Sequence, residues 1–289
     1  MSGIDLSKLP MPGGFDPALI MRMISQFGHG GHLGMEYASH SPEWVELALD
    51  WREDLVGDPE SGVLASSAII SLMDNATSLS IWNRLGEFRP QVTMDLRLDY
   101  LRPSPKGGKG FWTRHVLSPD AQHGLCSRHC AQWRYRRTPC LCDRNIHPHR
   151  RQSLMTETLS GLKLPPYAQS LDMTVSGLHD GAPLIVMPFA QKVQGRPGFL
   201  HGGAISGLLE MAAVAAIAYA LRERRDEARF KQVNVTVDFM RGGTPQPTFA
   251  VGTITRMGRT MANVEARAWQ DNPEKLMATA TLHYLLKRG

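Results

Sequence analysis

His201-Gly202-Gly203 stands directly before an apolar stretch of helical length, and nine residues after the histidine that stretch holds one acid, Glu210. A helix amino terminus presents free N–H groups and a partial positive charge. Amides near Gly202 and Gly203 therefore suit a developing oxyanion, and glycine lets a carbonyl approach closely. A carboxylate projecting from a facing helix would supply a base or a nucleophile. An earlier apolar stretch holds one such acid, Asp74. The chemistry these groups serve together is attack on a polarised carbonyl. Each also has a structural reading: the two acids as partners of a neighbouring helix terminus, and His201 as a cap.

The elements that must position these residues occur twice. SGVLASSAIISLMDNATSLSIW followed by QVTMDLRLDYLRP is matched by GFLHGGAISGLLEMAAVAAIAYAL followed by KQVNVTVDFMRG. Asp74 and Glu210 are 136 residues apart, and Asp99 and Asp238 are 139 apart, so two copies of one domain account for the chain. The second helix is apolar nearly all round, which requires burial on most sides. The strand behind it alternates, with Val233, Val235, Val237 and Phe239 set against Asn234, Thr236 and Asp238. Further strands are predicted over 248–255, 262–270 and 276–286, with a turn at 271–274. Residues 1–30 form an extension whose only predicted element is a helix over 17–27, capped by Asp16 with Pro17 at its first position.

HGG opening a buried helix, the acid nine residues on, and the strand VTVDFMR together resemble the hotdog thioesterases of the PaaI-like superfamily. The resemblance covers most of residues 34–103 and 171–286. It implies an α+β fold of two tandem hotdog domains, 31–152 and 153–289, each a long buried helix wrapped by an antiparallel sheet. It also implies that HGG and the acid of one site come from different halves. One site would then combine His201, Gly202 and Gly203 with Asp74, with Ser78 one helical turn later to help hold a water. Thr93 matches a position that is often hydroxylic in the family. The other site would combine Glu210 with Ser66 and Ser67 after Ala65, where HGG is missing, and Val214 replaces the later hydroxyl. Gln194 and Arg196 precede HGG where the family carries a polar substrate contact, although the usual Asn is absent. Arg102 and Arg241, at strand ends, are candidates for CoA phosphates or simply solvated.

Composition narrows the partners. The chain of 289 residues is 42% hydrophobic and 20% charged, as in soluble globular proteins. No apolar run is expected to reach the ~18 to 20 residues of a membrane span. The amino terminus lacks a secretory pattern, so a cytoplasmic protein is expected. The net charge of +5 is concentrated between Arg114 and Arg151, where eight Arg and two Asp give +6 and leave the remainder at −1. No nucleic-acid partner is expected.

That same segment holds all four cysteines (Cys126, Cys130, Cys140, Cys142) and five of the eleven histidines, and it has no usable period. A metal site and a basic linker are open readings, although C-x3-C with C-x-C lacks ordinary zinc spacing. A third reading fits the repeat. Read one base later, residues 118–147 can encode an R-S-M-A start, a polar turn and an A-x-A-T ending that match the second copy. Residues 114–151 are accordingly read as frame-shifted, with boundaries near 108–114 and 151–153.

The expected function is hydrolysis of an acyl-CoA carrying a medium-chain or aromatic acyl group, without cofactor or metal, in a homo-oligomer of double-hotdog units. A hotdog hydratase would need an Asp and a His a few residues apart on one loop and helix, and neither copy shows this. A non-catalytic acyl-CoA binding or sensing module is the remaining alternative.

Overall fold

A computed structural model describes residues 15–89, 91–100, 103–104, 106–119, 124–126 and 162–288. Helix α1 (Pro17–Ile24) starts as its sequence predicts, the Asp16 carboxylate accepting from the Ala18 and Leu19 amides. It stops short of Phe27, and a second helix, α2 (Gly28–Leu33), follows where only loop is expected. Next come the hairpin β1 (Met35–Ser41) and β2 (Trp44–Asp50), a 3₁₀ turn at Glu53–Leu55, and the small pair β3 (Val56–Asp58) and β4 (Val63–Leu64). The long helix α3 (Ser66–Leu85) leads to β5 (Asp95–Asp99), β6 (Lys109–Pro119) and β7 (Gly124–Cys126).

The second half opens with α4 (Pro166–Ser170), then β8 (Thr174–His179), β9 (Ala182–Met187), a 3₁₀ turn at Gln191–Val193 and the long helix α5 (Gly202–Glu223). It ends in β10 (Arg229–Phe239), β11 (Thr248–Met257), β12 (Met261–Trp269) and β13 (Ala278–Lys287). The order of short helix, two strands, 3₁₀ turn, long helix and strand thus recurs, with the pair β3 and β4 inserted before the long helix of the first half. So do the sheet neighbours: β1-β2-β6-β7 in one sheet repeats β8-β9-β11-β12 in the other. Strands β6 and β7 carry regular backbone into the segment that lacks sequence period. The rest of that segment, with Cys130, Cys140, Cys142 and most of the frame-shift reading, lies outside the described residues.

α5 is apolar all round because it is enclosed all round. β9, β11, β12 and β13 wrap one side and α3 the other. It lies so close on β11 that a Cβ at Gly252 would come 2.6 Å from the Ala212 carbonyl oxygen. Leu208, Leu209 and Ile217 are fully buried, each contributing roughly 1.5–3 kcal/mol over an exposed side chain. This helix corrects one expectation, since by length and composition alone α5 suffices to cross a membrane, although most of it is buried inside the protein. α3 is less apolar. Its buried Ser71, Asn75 and Ser80 return hydrogen bonds to carbonyls four residues earlier, which satisfies them within the helix.

The two halves share one sheet. β5, from the first half, pairs antiparallel with β10, from the second, and extends the order to β5-β10-β13-β12-β11-β9-β8. Arg97 faces Thr236, Asp95 faces Asp238 and Asp99 faces Asn234. A shift of 139 residues, the spacing of Asp99 and Asp238, carries 97 to 236, 95 to 234 and 99 to 238. The pairing therefore maps onto itself about the Arg97–Thr236 pair.

Candidate active site

The same reciprocity brings the amino terminus of each long helix against the acid of the other. At the start of α5, a Cβ on Gly202 would lie 3.2 Å from Asp74 Oδ2 and 3.5 Å from the Phe239 ring. A Cβ on Gly203 would run into the Ser71 side chain. Only glycine permits this approach of α3 to α5. Asp74 is held from outside by Thr93, whose hydroxyl donates to Oδ1 at 2.6 Å. Its Oδ2 is 4.0 Å from His201 Nδ1, and the two side chains are 13% and 12% exposed, shielded yet reachable.

His201 caps α5, its Nδ1 accepting from the Gly203 amide at 2.8 Å. Its Nε2 lies 2.9 Å from the Asn75 side-chain nitrogen, which also donates to the Ser71 carbonyl. Burial keeps this histidine below its ordinary pKa, against the opposing pull of Asp74. The cap occupies the Gly203 N–H, while the Gly202 amide, the one next to Asp74, has no partner among the described residues.

At the other end Glu210 does more. It is buried, and its carboxylate accepts from the Ser66 amide at 3.1 Å, the Ser67 amide at 2.6 Å and the Ser67 hydroxyl. The residue before α3, Ala65, gives no side-chain cap, so Glu210 caps that helix from across the interface. Burial raises its pKa, while the bonds from Ser67 and Ser66 act in the opposite sense. A raised carboxyl pKa gives a contribution to stability that is fully present below the unfolded value and is lost as pH rises through the folded one. Glu210→Ala leaves two helix amides without their acceptor. It is expected to lower stability by about 1–3 kcal/mol, most at acid pH and less as pH rises, as read from unfolding midpoints across pH.

Other expected residues fall as follows. Ser78 is half-buried one turn after Asp74 on α3. Gln194 contributes backbone, its carbonyl accepting from the His29 amide at 2.8 Å. Arg196 lays its guanidinium 3.8 Å over the Phe199 ring. Arg241 is exposed just after β10, and Arg102 lies outside the described residues. Sequence reasoning missed His29, Ser71 and Asn75. His29-Gly30-Gly31 reads as a chance HGG, yet His29 packs its ring 5.1 Å from that of His201.

Comparison with known proteins picks out the second half of the chain. Residues 197–277 match the Thioesterase superfamily model. No curated protein matches the chain. Among solved structures, a Chromobacterium violaceum protein is 33% identical, over 42% of this chain and 83% of its own, with a TM-score of 0.35. A thioesterase from Haemophilus influenzae is 18% identical, over 42% and 82%, with a TM-score of 0.38. A Bacillus halodurans protein solved with CoA is 20% identical, over 43% and 80%, with a TM-score of 0.37.

Proposed function

We propose that this protein hydrolyses an acyl-CoA thioester to free acid and CoA at a single site between two tandem hotdog halves. The site comprises Asp74, His201, Gly202 and Gly203. The observation that carries the reading is a difference of one methylene. Glu210 reaches the amides that open α3 and fills that terminus with the protein's own carboxylate. Asp74 is one carbon shorter and tied to Thr93, and it stops beside Gly202 without closing on its amide. One end is thus self-capped. The other keeps a helix amide and a carboxylate facing the same small space.

In that space the Gly202 amide, with the α5 dipole behind it, would hold the thioester oxygen as charge develops. Asp74 would activate water or attack the carbonyl carbon itself, and Thr93 keeps its second oxygen from turning away. The cap from His201 fixes the first turn of α5, on which the amide direction depends. Turnover of a panel of acyl-CoA substrates tests the reading. It requires Glu210→Gln to keep most of the activity, and equal losses from Glu210→Gln and Asp74→Asn would sink the one-site arrangement. Binding without any turnover would favour a sensing module.

The recurrence of element order and of sheet neighbours supports the tandem arrangement, with halves at 31–152 and 153–289. It also supports a frame-shift reading of residues 114–151, because backbone strands continue the repeat where the side-chain pattern does not. Resequencing the gene is expected to find a base missing or extra near codons 108–114 and again near 151–153. An unaltered reading frame at both places would discard that reading.

A further inference from the structure

His29 is fully buried, and the hydrolytic step has no use for it. Its surroundings specify its protonation. Nδ1 is 3.0 Å from the Lys192 carbonyl oxygen, which can only accept, so Nδ1 carries a proton. Burial and the neighbouring His201 keep the ring neutral, which leaves Nε2 as an acceptor for the Ser71 hydroxyl at 3.0 Å. Ser71 shares its one proton between His29 and the Ser67 carbonyl, 2.8 Å away. The His29 amide binds the Gln194 carbonyl, so α2 is tied by side chain and backbone to the loop that leads into His201.

Ser71 is the residue that Gly203 packs against, and the His29 ring lies tilted at 41° against that of His201. One buried side chain thus touches the cap of α5, the wedge on α3 and the loop between β9 and α5. We propose that His29 is a positioning residue for the Asp74–Gly202 site. It fixes the His201 ring and the Ser71 wedge, and through them the direction of the Gly202 amide. The inference rests on the hydrolytic reading of that site.

His29→Phe keeps a flat aromatic ring, somewhat larger than imidazole, and removes both side-chain hydrogen bonds. The expected result is a fall in kcat of about tenfold or more with KM changed less than about twofold, as displacement of catalytic groups produces. The imidazole resonances of His201 should move in the same variant. His29→Gln can present an oxygen to Ser71 and is expected to recover part of kcat. If His29→Phe does not fold, Ser71→Ala removes the same hydrogen bond without altering the buried ring, and the same loss and resonance shift are expected. Folded variants with unchanged kcat and unchanged His201 resonances would overturn the proposal. So would a loss that only follows the folded fraction and is not recovered by Gln. Should the wild-type protein turn over no acyl-CoA, the hydrolytic reading fails by itself. The His201 resonances then decide, and a ring that does not move in His29→Phe overturns the positioning role.

Discussion

If the protein is the proposed acyl-CoA hydrolase, Asp74→Asn is expected to lower turnover by roughly 10²–10⁴-fold, the range general-base or nucleophile removal produces. Folding should be unaffected, since the Asn oxygen can still accept from Thr93 and the volume is unchanged. The more searching variant is Asp74→Glu, which keeps the charge and adds one methylene. A carboxylate of that length reaches the amides at the opposing helix terminus, as Glu210 does at α3. Its turnover is therefore expected to fall nearly as far as that of the Asn variant, while thermal stability holds or rises. Steady-state kinetics and melting curves on both variants check this. An Asp74→Glu enzyme with near wild-type turnover would show that the room between Asp74 and Gly202 is not what the site depends on.

Gly203→Ala carries the second largest effect. The added Cβ would overlap the Ser71 side chain and lie 2.8 Å from the Ser71 Cα, so rotating a side chain cannot relieve it. α3 and α5 must move apart. Overpacking of this kind costs about 1–3 kcal/mol, and separating Asp74 from the Gly202 amide by about 1 Å is expected to lower kcat by about 10²-fold. Adding Ser71→Gly removes the side-chain part of the overlap. The double variant should regain part of the stability, a coupling that a thermodynamic cycle measures. Wild-type melting and turnover in Gly203→Ala would refute the close approach as a requirement.

The sequence made the second half legible because its signals are local. α5 is enclosed by sheet and helix, so every face had to be apolar, and its start is marked by His201 and two glycines. β12 and β13 alternate because one face packs on that helix. The predicted strands match those formed, with ends displaced by one to two residues. α2 was not legible. GHGGHL has no apolar period and contains residues that disfavour helix, and its conformation follows from contacts with residues 163 positions away along the chain. Strand β1 hides for a similar reason, its exposure failing to alternate beside a register shift at Tyr37–Ser39. For the site, the acid and HGG could be named from spacing. That His201 would occupy the Gly203 amide, that Thr93 would turn Asp74, and that Glu210 would seal its own end depend on lengths of a single bond, which spacing does not encode.

The unequal acids at the two ends of the α3–α5 crossing have a consequence for how such a protein can change. In a dimer of identical chains every substitution is entered twice, so an acid shortened for chemistry is shortened at both ends, and neither helix terminus is sealed. Joined in one chain, the ends are free to specialise. One can keep an amide uncovered, at a cost in stability, while its mate becomes a clamp that offsets the loss. Further improvement at the Asp74 end can then proceed without loosening the Glu210 end.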